Sequence, residues 1–244
     1  MIKHSLAIFL WLVGLSTGAA ASCEKSEFES ETYTVCEVSQ DQDLRLFLEN
    51  PSGGILGGFG AVNEQLASED KELAFAMNAG MFHNDRQPVG LYIEKGEEKA
   101  QLQHGGGYGN FGLSPNGVFC IAEQGFQIYT SEAYEAAMPA CRFATQSGPM
   151  LVINDALHPR LIPNGDSKHY RNGVGTSADG TRAIFAISDQ RVNFHDFARF
   201  FRDHLGMPNA LFFDGKISRL YAPEISRNDI GFPLGPIVGL VQDR

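Results

Sequence analysis

Leu211-Phe212-Phe213 is an apolar run of strand length that stops abruptly at Asp214-Gly215, and Ile217–Tyr221 follows as a second short run. Much of the chain repeats this plan: short stretches of β-branched and aromatic residues, cut by turns that draw on 27 glycines. Runs this short read as strands, and the regular strand–helix alternation that a doubly wound sheet requires is absent. The sequence therefore predicts an α+β class, a single domain with mixed or antiparallel β-sheets and a few helices.

Strands are expected at Tyr33–Val38 and Leu44–Leu48, paired as a hairpin across Ser39–Asp43, and at Leu73–Met77, Pro88–Glu94, Val118–Ala122 and Phe126–Thr130. Further strands are expected at Met150–Ile153, Val174–Thr176, Ala183–Ile187, Ala210–Phe213 and Ile237–Val241. Residues 22–32 read as a polar tail. Ala61–Lys71 has helical composition, and Ser131 can cap a short helix through Ala137. The clearest helix is Phe194–Leu205: Asn193 can cap it, Phe194, Phe197, Ala198, Phe201 and Leu205 share one face, and Gly206 and Pro208 end it. Aromatic residues at that spacing are core packing.

The N-terminus has the form of a secretory leader. Lys3 precedes the apolar run Leu6–Leu15, and Ala19-Ala20-Ala21 supplies a small-residue cleavage site, so cleavage after Ala21 is expected. That leaves a domain at 22–244 and an exported product, periplasmic or secreted, with no stable membrane insertion. Lipid attachment at Cys23 is a second reading, weakened because no large aliphatic residue precedes it. Nineteen basic against 29 acidic residues give a net charge of −10, which argues against a nucleic-acid partner but leaves room for one local anion site. Four cysteines in an exported chain suggest disulfides, and Cys23–Cys36 with Cys120–Cys141 is the favoured pairing because each closes a short loop. Zinc competes, without a Cys-x-x-Cys motif to support it.

A carboxylate at the end of a buried strand is costly to desolvate, so Asp214 needs a structural partner or a chemical role. The plain alternative is a hairpin turn, for which Asp-Gly between apolar runs is the commonest signal. Arg171, before the Gly-bounded stretch Asn172–Gly175, offers a planar fork for a phosphate, and fits an ordinary Arg–carboxylate pair equally well. Asp189 is a candidate second carboxylate, against a stronger reading as a turn residue. The loop His104–Asn110 is Gly-rich, but Phe111-Gly112-Leu113-Ser114-Pro115 cannot open the helix that a phosphate-binding loop needs. No Gly-x-Ser-x-Gly elbow supports a serine nucleophile. Of the histidines, His83, His104 and His158 lie in loops and can line a cleft. Asp155, Asp166 and Asp179 make Ca²⁺ an option, without ligand spacing to recommend it.

Asn78-Ala79-Gly80-Met81-Phe82, Pro88-Val89-Gly90-Leu91, Gly109-Asn110-Phe111, Pro115-Asn116-Gly117-Val118-Phe119, Gln146–Leu151, Arg171–Gly175 and Ala210–Gly215 follow one another in an order that resembles the phosphodiester glycosidase family. The resemblance runs from about Leu73 to the C-terminus. It implies hydrolysis of the glycosidic bond of a sugar-1-phosphodiester, of the N-acetylglucosamine-1-phosphodiester kind, without a cofactor. It further implies Asp214 as nucleophile or electrostatic stabiliser, Arg171 as phosphate clamp, and Asn78 bonding the sugar or orienting Asp214. Ser147, Gly148, Asn110, Asn172, Gly215 and Ser218 become substrate-binding positions. Lys216 and Ile217 stand where the family pattern has glycines, which points to a changed pocket. A phosphate leaving group is a weak base, so the chemistry asks less of an acid catalyst and more of a cation. The alternative is a non-catalytic envelope glycan-binding module on the same fold. Asp214 closed to solvent, or bonded only within its own turn, would be its mark. A hydrolase of simple glycosides is a third reading, in which Arg171 matters little.

Overall fold

The computed structural model describes residues 22–105 and 109–244. The expected leader and the centre of the Gly-rich loop, 106–108, lie outside the described residues. The strands form three sheets in which the pairing is antiparallel throughout. In order across the first sheet run Ser22–Phe28, Glu31–Ser39, Arg182–Ser188, Asn172–Thr176, Asn209–Asp214, Met150–Ile153 and Ala156–Leu157. The second runs Arg227–Asn228, Leu220–Ala222, Lys71–Asn78, Ile237–Asp243 and Asp43–Phe47, and the third Glu97–Ala100, Tyr92–Glu94, Phe143–Ser147, Gly117–Ala122 and Gly125–Thr130.

Side-chain alternation along Asn209–Asp214 shows how the layers are held. Leu211 and Phe213 enter a core shared by all three sheets, with Phe185 from the first, Phe75 and Val238 from the second and Phe119 from the third. Phe212 points the other way, into a second core where Tyr33, Phe197, Phe200 and Phe201 pack under the long helix. Tyr33 stacks on Phe200 with ring centroids 3.8 Å apart. The helix begins as expected, with Asn193 accepting from the Asp196 N–H at 2.8 Å. It is α-helical over Phe194–Arg199 and continues as a π turn over Phe200–His204, ending at Gly206 with φ +65°. The helix at Ser131–Ala137 is capped by Thr130, one residue before the expected Ser131, and the first helix spans Phe59–Ala67.

Three local expectations are overturned by tertiary pairing. Residues 22–28 are an edge strand against Glu31–Glu37, because the Cys23–Cys36 bridge and the Lys25–Asp189 ion pair fasten a polar segment. Glu31–Ser39 and Asp43–Phe47 are not a hairpin: the turn between them passes the chain from the first sheet to the second, where Asp43–Phe47 pairs with Ile237–Val241. The Asp214-Gly215 turn likewise leads out of the first sheet into Leu220–Ala222, which pairs with Ala76 and Met77 in the second. In both cases a buried partner strand from elsewhere outcompetes the local neighbour.

Both favoured disulfides, Cys23–Cys36 and Cys120–Cys141, are present, with sequence separations of 13 and 21. No helix among the described residues is long and apolar enough to cross a membrane. Loops of this length are expected to contribute about 3 kcal/mol each by restricting the unfolded chain. Urea denaturation of the Cys23→Ser/Cys36→Ser double variant should show a loss of that order, together with faster amide exchange in Ser22–Phe28 than in Asn209–Asp214.

Candidate active site

The end of the strand Asn209–Asp214 is where the three sheets meet. Its register with Asn172–Thr176 shifts there: Asn172 aligns with Asp214 and Gly173 with Phe212, which leaves Phe213 as the extra residue of a bulge. Ser147 from the third sheet donates its Oγ to the Phe213 carbonyl at 2.9 Å, satisfying an acceptor that the bulge would otherwise orphan. From the second sheet comes Asn78, fully buried like Asn172. The two amides face each other. Asn172 Nδ2 donates to the Asn78 carbonyl at 2.8 Å, and the side-chain amides approach to 3.2 Å in both directions.

This amide pair grips the turn that follows. Asn172 Oδ1 accepts from the Asp214 N–H at 3.2 Å, and Asn78 Oδ1 from the Arg219 N–H at 2.9 Å. Ser218 Oγ lies 2.7 Å from the Asp214 carbonyl, 3.0 Å from that of Tyr170 and 3.3 Å from Asn172 Oδ1. Residues 214–219 are thus fixed at both ends by side chains from two sheets. Neither asparagine reaches solvent, so their reach toward a ligand is through the turn they position.

Asp214 itself is half-buried. Its Oδ1 accepts from the Gly215 and Lys216 N–H groups at 2.6 and 2.8 Å. Burial holds the carboxyl above the ordinary carboxylate range, while the Lys216, Gly215 and Ile217 N–H groups and the Lys216 charge pull it back. Below the turn lies Arg171, fully buried, with its guanidinium carbon 3.5 Å from the centroid of Phe194 and 5.5 Å from that of Phe212. Its Nε donates to Val192 O at 2.9 Å and Nη2 to Ser167 O at 2.8 Å, whereas Nη1 has no partner among the described residues. Among the described residues no carboxylate pairs with it: desolvation lowers it to about 10, which still leaves it cationic at neutral pH. Gly215 separates the two groups. A Cβ there would stand 3.4 Å from Arg171 Nη1 and 3.1 Å from Phe212 Cζ. His169 is held below the usual imidazole value by desolvation and then by the charges of Arg171, Arg191 and Lys216, so the surroundings of the turn are positive in an acidic protein.

The other candidates fall into place around this core. Gly148 is obligatory, since a Cβ would lie 1.8 Å from Asn116 Oδ1. Asn116 in turn donates to Phe111 O at 2.7 Å. Asn110 sits half-buried in the 3-10 turn Gly109–Gly112. Asp189 is bound by Lys25 at 2.8 Å and Arg227 at 2.6 Å and takes the Thr34 hydroxyl at 3.0 Å, so its charge is committed to an ionic network. His158 is buried, while His104 faces Glu135 at 3.5 Å on the surface. Among the described residues no three His, Cys, Asp or Glu side chains gather where they could hold a metal ion. The partners that sequence reasoning missed are Phe194, which lies against Arg171 although its spacing reads only as core, and Arg219, which carries no motif of its own.

The fold and the sequence profile define a class. A sequence profile of the phosphodiester glycosidase family matches residues 71–230, and the chain belongs to that family. Among its relatives is the Escherichia coli (strain K12) protein YigE, described as uncharacterized, 35% identical over 214 residues that cover 87% of this chain and 82% of the relative. The catalytic domain of zebrafish N-acetylglucosamine-1-phosphodiester alpha-N-acetylglucosaminidase, auto-inhibited by its pro-peptide, shares the fold with a TM-score of 0.64. That match covers 92% of this chain and 84% of that one at 13% identity.

Two outcomes are expected from the geometry. Asn172→Ala leaves Asn78 Nδ2 and the Asp214 N–H without their partner and should cost about 3 kcal/mol, measured by urea denaturation. Asp214 has its folded value raised, so its contribution to stability is complete below the unfolded carboxylate value and is lost as pH rises through the folded one. Asp214→Asn keeps an Oδ1 acceptor for the turn and removes that loss. Unfolding free energies at pH 4 and pH 7 should therefore fall more in the wild type than in Asp214→Asn.

Proposed function

We propose that this protein is an exported hydrolase that cleaves the glycosidic bond of a sugar-1-phosphodiester. The observation that carries the reading is the uncompensated cation: a buried arginine with a free Nη1 and no carboxylate partner among the described residues, beneath a half-buried aspartate whose turn is held by side chains from two sheets. An unpaired buried donor is costly, and such a group is retained where a ligand oxygen completes it. The family membership supports a glycosidase, the activity for which the zebrafish relative is named supports an N-acetylglucosamine-like sugar, and the two disulfides support export to an oxidising compartment.

In the reaction the bond between C1 and the phosphate oxygen breaks, and its electron pair leaves with the phosphomonoester. Asp214 faces the positive charge that develops at C1, as nucleophile or as electrostatic stabiliser. A water oxygen then bonds to C1, and its proton passes to the phosphate or to solvent. Arg171 holds the phosphate through Nη1. Since the residue is fully buried beneath Gly215, that contact requires the Gly215–Lys216 peptide to shift between the anchored Asp214 and Ser218, with the exposed Lys216 meeting the anion first. Asn78 and Asn172 orient the turn, and Ser147 and Gly148 shape its floor.

The turn itself favours a second reading. The hydrogen bonds to the Asp214 carboxylate come from its own turn, which is the arrangement expected of a glycan-binding module that keeps the fold without turnover. Residues 22–244 assayed on an α-N-acetylglucosamine 1-phosphodiester and on the matching simple glycoside separate the readings. Hydrolysis of the diester, reduced about a hundredfold or more in Asp214→Asn and in Arg171→Lys with both variants folded, is the expected result. Folded wild-type protein that binds the sugar without releasing it moves the assignment to the binding module, and equal loss-free turnover of the simple glycoside removes the phosphate from the account.

A further inference from the structure

A second arginine beside the same turn is also short of a partner. Arg219 is 8% exposed, and its Nε and Nη2 are buried without a hydrogen bond among the described residues. These two nitrogens form one edge of the guanidinium, the edge that takes a carboxylate side-on with two parallel bonds. Its neighbour Arg227 uses the corresponding edge in that way, with Nε 3.1 Å from Asp229 Oδ1 and Nη2 3.0 Å from Oδ2. Asp229 also accepts from the Leu220 N–H at 2.9 Å, and it makes no ion pair with Arg219. The aromatic ring of Phe59, 5.6 Å from the Arg219 guanidinium carbon, offers only partial compensation. Desolvation lowers the Arg219 value, and Asp229 only partly restores it.

Arg219 lines a cavity of about 430 Å³ together with Tyr170, Ser218, Arg227 and Ile230. Ser218 belongs to the Asp214 turn and reaches the Asp214 main-chain carbonyl, so the cavity borders the far end of that turn. Its charges do not balance. Arg219, Arg227 and Asp229 are the charged residues of its lining, and Asp229 pairs with Arg227, which leaves one positive charge in excess. The strap over Arg219 is irregular chain: a Cβ on Gly231 would lie 3.3 Å from Arg219 Cδ, and Ile230 and Phe232 on either side are 95% and 74% exposed.

We propose that this cavity is a second anion subsite, in which the free edge of Arg219 pairs with a carboxylate on the substrate, as on an acidic sugar. A single excess charge and a planar two-nitrogen edge suit a monoanionic carboxylate better than a phosphate dianion. The strap at Asp229–Pro233 lifts to admit it and presents its apolar side chains to the rest of the ligand. The substrate assignment rests on the glycosidase reading, but the binding does not.

The test is thermal-shift and calorimetric titration of residues 22–244 with D-glucuronate, D-glucose and inorganic phosphate, on wild type, Asp214→Asn, Arg219→Met and Arg219→Lys. Glucuronate should bind and stabilise wild type and Asp214→Asn alike, with glucose at least about tenfold weaker, and with Arg219→Met and Arg219→Lys weakened by a similar factor. Arg219→Lys keeps the charge and loses the edge, so it decides the matter if Arg219→Met does not fold. Equal affinity for glucuronate and glucose, or unaltered glucuronate binding in Arg219→Lys, overturns the subsite. Binding of glucuronate without turnover of any diester keeps the subsite and removes the glycosidase reading instead. Tighter binding of phosphate than of glucuronate, lost in the Arg219 variants, overturns the choice of a carboxylate.

Discussion

The contact between the Asn78 and Asn172 side chains is the constraint on which the site depends. Two buried amides in an apolar setting are tolerable only when nearly every donor and acceptor is used. Here they satisfy each other, the Asp214 N–H and the Arg219 N–H, and so weld the ends of two sheets to one turn. Because the amides belong to different sheets, the position of Asp214 is set by how the sheets pack. Ser147 adds the third sheet through the bulged Phe213. A carboxylate at the end of a strand would ordinarily move with its turn; this one is anchored from three directions.

Around that anchor the electrostatics are unusual for a chain with a net charge of −10. Two arginines are carried into the interior on either side of the turn, and among the described residues neither meets a carboxylate of its own. Elsewhere the protein does pair its charges: Asp189 binds two cations, and Arg45 meets both Asp43 and Glu69. Unpaired buried cations therefore concentrate beside the Asp214 turn, and stacking on Phe194 and Phe59 softens the cost of desolvation without supplying a counter-charge. Burial that preserves a charge while denying it a partner favours binding over stability.

Much of this was legible in the sequence. The apolar runs located most of the strands because a strand buried on both faces has to be apolar throughout, as Ala210–Phe213 is. Asn193 announced its helix through local capping, and short loops between cysteines pointed to the two disulfides. The ordered motifs identified the family. What could not be read was pairing. Asp214-Gly215 has the composition of a hairpin turn, yet the strand after it joins the second sheet, because Leu220 and Tyr221 bury better against Met77 and Ala76 than against the strand they leave. Residues 22–28 look like a solvated tail and form an edge strand, since a disulfide and a cross-strand lysine outweigh a polar composition.

The sequence by itself determined the family, the α+β class and the favoured cysteine pairs, since each is written in local composition or in the order of short motifs, and it nominated Asp214 and Arg171 through the resemblance. The tertiary structure alone decided that Asn78 and Asn172 form one amide pair, that Arg171 lies buried under Phe194 rather than at the surface, and that Arg219 lines a cavity while one edge of its guanidinium stays buried and unused. These depend on contacts between residues up to 141 positions apart. No local pattern can encode which carboxylate an arginine fails to meet.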